Sequence, residues 1–206
     1  MATKAVLWDL GNVLLDWSPA YLYREHFSDE AELKHFLDEV CTMAWHAEHD
    51  RGVPMAENRK HLIEQYPHYE EQIRAWETGV DRMVAGTIPG TAEAMEALHG
   101  RGVAQYALTN LPAEWTDYVM TGFAPMRHMR DVVVSAHEGV IKPDPRIYEI
   151  TAERIDFDPS EVVFFDDRAS NVEAARAFGF DAEVFEGGKK LHADLKKRGL
   201  LGETDI

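Results

Sequence analysis

Apolar positions along this chain come in two rhythms. Short unbroken runs occupy residues 4–9 (KAVLWD), 103–109 (VAQYALT), 131–135 (DVVVS), 161–166 (EVVFFD) and 181–185 (DAEVF). Runs this short and continuous suit strands covered on both faces, as in a parallel sheet. Between most of them, apolar residues recur at helical spacing. Residues 91–100 start at a Thr cap and end at Gly100, residues 144–155 place Pro145 in a first turn, and residues 171–179 stop at Gly179. The alternation predicts right-handed strand–helix–strand units, hence an α/β fold with a Rossmann-like, doubly wound parallel sheet.

The spacing breaks once. About 90 residues separate the first two runs, too many for a loop inside a compact domain. Segments 21–27, 31–43, 55–65 and 69–84 carry apolar residues at helical spacing, with breaks at Ser28-Asp29, at 52–54 and at Pro67. This predicts an all-helical domain inserted at residues 16–85, with the α/β core formed by 1–15 and 86–206. Gly86 and Ile88-Pro89-Gly90 punctuate the return to the core. The stretch after Gly187 reads as a last surface helix followed by a frayed end.

Composition narrows the class. The 206 residues are 45% hydrophobic, a normal globular value, and 21 basic against 37 acidic residues give a net charge of −16. That charge argues against nucleic acid and against anionic membrane surfaces, both of which would be repelled. The single Cys41 excludes an internal disulfide and any multi-cysteine zinc site. No apolar run approaches a membrane span, and MATKAVLWDLGN carries an early acid with no cleavage-site pattern. The expectation is a cytoplasmic protein, monomer or homodimer, with a small-molecule partner.

Candidate chemistry lies at the ends of the predicted strands. In open parallel sheets the ligand crevice sits beyond the carboxyl ends of the strands. Those ends read Asp9, Thr109-Asn110, Ser135 and Asp166-Asp167, and Lys142-Pro143 follows soon after the third strand. Each type has a task in phosphoryl transfer. One carboxylate can attack phosphorus, and another can hold Mg²⁺. Hydroxyl, amide and ammonium groups can steady the equatorial oxygens. In the insertion, His46, Glu48, His49 and Arg51 form a polar cluster that could line the same crevice, although surface-helix polarity explains them equally well.

In this order the motifs resemble those of the haloacid dehalogenase superfamily: Asp9-Leu10-Gly11-Asn12-Val13, Leu108-Thr109-Asn110, Lys142-Pro143 and Phe165-Asp166-Asp167 with Asn171 four residues on. The insertion falls where that family carries a helical cap. The resemblance implies Asp9 as nucleophile and Mg²⁺ ligand, with the Gly11 carbonyl as a second ligand. It further implies Thr109 and the Asn110 amide on the phosphate, and Lys142 neutralising both nucleophile and phosphate. Counting back four from Asn171 gives Asp167 as the third metal ligand. Asp166 and Asn171 then stand behind it, and Asn171 also suits the cap of its helix. His46, Glu48 and Arg51 are the candidate substrate contacts from the cap.

One position departs from the pattern. Family phosphatases carry a second Asp, the general acid/base, two residues after the nucleophile; here it is Gly11. The 2-haloacid dehalogenases share that gap, but they lack the acids that Asp166 and Asp167 supply. Asp-Leu-Gly-Asn-Val, Phe-Phe-Asp-Asp and the string Trp45-His46-Ala47-Glu48-His49-Asp50-Arg51-Gly52 resemble small sugar-phosphate phosphatases of the glucose-1-phosphate type. The resemblance therefore implies a Mg²⁺-dependent phosphatase acting on a small phosphorylated metabolite, a sugar 1-phosphate among the candidates, through an aspartyl-phosphate. The rivals are a metal-independent 2-haloacid dehalogenase using an aspartyl ester, and a non-catalytic phosphometabolite-binding protein.

Overall fold

The computed structural model describes residues 2–202 and 205; part of the frayed end expected after the last helix lies outside them. All five predicted strands form and pair in parallel as one sheet. They are β1 (Ala5–Trp8), β4 (Ala104–Thr109), β5 (Val132–Val134), β6 (Val162–Asp166) and β7 (Asp181–Val184), in the order β5-β4-β1-β6-β7. Strand β1 is central, and the chain leaves it toward β4 on one side and returns to β6 on the other. The strand order therefore reverses at β1, which opens a crevice at its carboxyl end.

Alternation along β1 feeds two cores. Ala5 and Leu7 pack with Tyr106, Phe164, Ile147, Tyr148 and Val172, under the helices Pro145–Arg154 and Ala169–Phe178. Val6 and Trp8 face the other way, onto Met95, Leu98, Leu191 and Leu195 of the helices Thr91–Gly100 and Gly188–Lys197. The amide side chain buried in β4, Gln105, is satisfied on both sides: its Oε1 accepts the Trp8 indole N–H at 3.0 Å and its Nε2 donates to the Met95 carbonyl at 2.9 Å. Among the described residues no helix is long and apolar enough to cross a membrane.

The segment between β1 and β4 is largely helical, with helices at Pro19–Tyr23, Glu30–His35, Met43–Asp50, Met55–Gln65, Glu70–Thr78 and Val80–Met83. Glu30–His35 runs on as a π-turn, Phe36–Val40. Tyr23, Phe27, Phe36, Tyr69 and Trp76 pack ring against ring at its centre. Two short strands join this cap to the core. Strand β2 (Leu15–Trp17) leaves and β3 (Val84–Thr87) returns, paired antiparallel. The boundaries expected at 15/16 and 85/86 fall inside this ladder.

Candidate active site

The turn after β1 is tightly built. Leu10 carbonyl accepts from Val13, Leu14 and Leu15, and Leu15 carbonyl accepts from Asn12. Asn12 adopts φ 56°, a left-handed conformation that asparagine tolerates better than most residues. Asp9 stands at the head of this turn, and its Oδ1 accepts from Leu10 N at 2.7 Å.

Lys142 ties the strand ends together. Its ammonium has three protons and three acceptors: Asp9 Oδ1 at 2.9 Å, Asp166 Oδ2 at 2.7 Å and the Leu108 carbonyl at 3.0 Å. Asn110 clamps the lysine's backbone, accepting from Lys142 N at 2.9 Å and donating to its carbonyl at 3.1 Å. That use of the side chain leaves the backbone of Asn110, not its carboxamide, to meet a ligand. Burial works against the Lys142 charge, but Asp166 and Asp9 more than reverse it and hold the ammonium protonated. Burial pushes the Asp9 carboxyl above its ordinary range; Lys142 opposes this and Asp166 adds to it.

The two adjacent acids of β6 are unlike. Asp166 is fully buried and saturated: Asn171 Nδ2 reaches both its oxygens at 2.9 and 3.0 Å, Arg168 N donates to Oδ1 at 2.8 Å, and Lys142 takes Oδ2. Asp167 is only part-buried and lines the cavity. Asp9, Asp166 and Asp167 can each bring one oxygen within 4.8 Å of the others, a hard-oxygen set suited to Mg²⁺. We expect Asp166→Ala to cost about 3–5 kcal/mol, because it removes one of the two carboxylates paired with a buried ammonium and leaves Asn171 Nδ2 and Arg168 N without their acceptor. Asp167→Ala should leave the melting temperature nearly unchanged and raise the Mg²⁺ concentration needed for half-maximal activity. Thermal melts paired with Mg²⁺ titrations check both; equal titration curves for the two variants would contradict the assignment.

These groups open into a cavity of about 420 Å³ between core and cap. Asp9, Gly11, Thr109, Asn110, Lys142, Asp167 and Asn171 line its core side, and His46 lines it from the cap. Glu48 and Arg51, expected beside His46, are not among the lining residues. They are exposed and pair with each other at 2.6 Å, because on the helix Met43–Asp50 they project away from the face that carries His46. His49 is buried against Trp45 and lies 3.0 Å from Asn58 Nδ2. His46 Nδ1 accepts the Trp76 indole N–H at 3.1 Å, which places the ring proton of the neutral form on Nε2. Burial, with a smaller push from His49, holds His46 neutral down to about 3.

Asp50 was missed in the sequence, although it lies one helical turn from His46 and so shares its face. It lines the cavity, and His46 Nε2 stands 3.6 Å from its Oδ1. Ser135 Oγ donates to the Asp50 carbonyl at 2.7 Å and accepts from Leu111 N at 3.0 Å, pinning cap to core beside the carboxyl end of β4. Burial lifts the Asp50 carboxyl from 3.8 to about 7, against the pull of Lys142, Arg51 and Arg168. The folded chain thus binds this proton more tightly than the unfolded one. Its contribution to stability is full below pH about 4 and lost as the pH rises through about 7. The advantage of Asp50→Asn in melting temperature should therefore grow from pH 4 to 7 and stay level above. A gap independent of pH would show that folding leaves the proton affinity of the Asp50 carboxyl unchanged.

The model of the haloacid dehalogenase-like hydrolases matches residues 3–179. The chain belongs to that family. This hydrolase is 29% identical over 187 residues to a sesquiterpene phosphatase of Aspergillus oryzae, covering 85% of this chain and 86% of that protein. It is 22% identical over 178 residues to a phosphorylated carbohydrates phosphatase of Thermotoga maritima, covering 86% and 82%. Its fold matches a HAD family enzyme of Bacteroides thetaiotaomicron solved as a magnesium complex, with a TM-score of 0.70 at 18% identity over 91% of this chain and 96% of that one. The L-2-haloacid dehalogenase of Xanthobacter autotrophicus also superposes, with a TM-score of 0.64 at 16% identity over 97% and 85%. The fold is thus shared by a magnesium-bound enzyme and a dehalogenase, and does not by itself choose a chemistry for the hydrolase.

Proposed function

We propose that the hydrolase is a Mg²⁺-dependent phosphomonoesterase working through an aspartyl-phosphate. The observation that carries this is the cluster of Asp9, Asp166 and Asp167 beside Lys142 at the core end of the cavity. A halide displacement needs one carboxylate; a cation-assisted phosphoryl transfer uses the rest. The phosphatase names of the two relatives support the same reading.

In this mechanism Oδ1 of Asp9 is held by Leu10 N and Lys142, which leaves Oδ2 to attack phosphorus. The bond from Asp9 Oδ2 to phosphorus forms and the ester P–O bond breaks; with Gly11 in place of an acid, the departing oxygen takes its proton from solvent water. Water then attacks phosphorus, releasing inorganic phosphate and restoring the carboxylate. Thr109 and the Asn110 backbone face the phosphoryl oxygens, and Lys142 offsets their charge. Asp9, Asp167 and the Gly11 carbonyl would hold Mg²⁺, whose charge, when bound, stabilises those oxygens. Asp166 is a positioning residue: with all its lone pairs engaged, it orients Lys142 and Asn171 and not the metal.

The test is phosphate release from an aryl phosphate with Mg²⁺, and with the metal chelated, beside halide release from a 2-haloacid. The proposal predicts phosphate release that chelation abolishes, and no halide. Metal-independent halide release would establish the dehalogenase reading; binding of phosphoesters without turnover would establish the non-catalytic one.

A further inference from the structure

Taking the phosphatase reading as its base, we infer that the group esterified to the phosphate is largely hydrocarbon, an apolar phenol or alcohol and not a sugar. The cavity is two-sided in its chemistry. Its core end holds Lys142, Arg168 and the carboxylates, while the wall away from them is made by Trp17, Met43, Val80, Val84, Trp115 and Val119. Lys142 and Arg168 are the only cations among its lining residues, and both flank the phosphate end.

Part of the polar capacity of that far wall is already engaged. Asn12 Oδ1 accepts from Trp17 N, and Ser18 Oγ accepts from Ala20 N, each at 3.3 Å. The His46 ring packs against both Trp17 and Trp115, at 5.4 and 5.2 Å between centroids, with Nδ1 given to Trp76. Trp17 Nε1 and Asp50 Oδ1 lack partners, but both atoms are sealed beneath the wall. A hexose placed here would lose water from several hydroxyls and recover few hydrogen bonds, at a cost for each one left unpaired. A hydrocarbon body loses nothing of that kind and gains from leaving water. Met43, about half exposed at 48%, lies at the rim as an unbranched and adaptable apolar contact. At about 420 Å³ the cavity falls in the range that encloses a drug-sized group, not merely a phosphate.

Phenyl phosphates bearing linear 4-alkyl tails of increasing length test this, because the tail changes size while leaving-group pKa stays nearly constant. The expected result is a rise in kcat/KM of about threefold to fourfold per methylene until the cavity is full. Phenyl phosphate carrying a hexose at the same position, of similar bulk, should fall below the parent compound. Val80→Thr with Val84→Thr, near-isosteric changes on the apolar wall, should lower the hexyl-to-hydrogen ratio of kcat/KM by about tenfold. A flat series, or a hexosyl compound preferred over the alkyl ones, overturns the inference while phosphate release from the parent keeps the phosphatase reading intact. No phosphate release from any member overturns both.

Discussion

Replacing Asp9 with asparagine should lower phosphate release by at least about 10⁴-fold while the chain stays folded. The amide can still accept from Leu10 N and from Lys142, so the turn after β1 keeps its hydrogen bonds. Lys142 also keeps its shorter ion pair, 2.7 Å to Asp166. What is lost is the nucleophile, since an amide oxygen forms no stable phosphoryl ester. The loss should appear in kcat, with the affinity for inorganic phosphate changed far less. Rates within tenfold of the wild type would remove Asp9 from the chemistry.

Gly11→Asp should have the second-largest effect, in the opposite direction. A Cβ built on Gly11 meets no atom within 4 Å, and Gly11 is not among the residues with positive φ, so a side chain fits without strain. The residue lines the cavity two positions after the nucleophile. A general acid placed there contributes on the order of 10²–10⁴-fold where the leaving group needs its proton. The gain should be confined to phosphates of simple alcohols, with aryl phosphates nearly unchanged, so that a steep dependence on leaving-group pKa in the wild type flattens in the variant. Of the polar groups on the cap, Glu48 lies outside the cavity, and His46 is held neutral by burial with its Nδ1 occupied. A flat wild-type profile would contradict this account and direct attention to Asp50, whose raised carboxyl carries a proton near neutral pH.

The core was legible because its three central strands are buried on both faces, which writes hydrophobicity into consecutive residues: β1, β4 and β6 are buried throughout. Acids at the ends of such strands then stand out, which is why Asp9, Asp166 and Asp167 could be placed from sequence. The β2–β3 ladder was not visible. Its segments, LDW and VAGT, are three and four residues long and half-exposed, too short to show alternation. In the cap the residue types were read correctly as polar, but the face they occupy depends on helix phase. Residues 31–43 were read as one helix, and the helix Met43–Asp50 begins after a π-turn and a Thr42 cap, a break that resets the phase. The resemblance to sugar-phosphate phosphatases rested on motif residues at the strand ends and on one stretch of the cap, residues 45–52. It could not report the apolar far wall, because Trp17, Val84 and Val119 come from separate elements that only the folded cap brings together.

The central claim is that Asp9 becomes covalently phosphorylated during turnover. Quenching the enzyme during steady-state turnover of an aryl phosphate and reducing with borohydride converts an aspartyl-phosphate to homoserine, which peptide mass spectrometry locates. The account predicts homoserine at position 9 in the turning-over enzyme, none without substrate and none at Asp166 or Asp167. Sustained phosphate release with an unmodified Asp9 peptide at every quench time would contradict it.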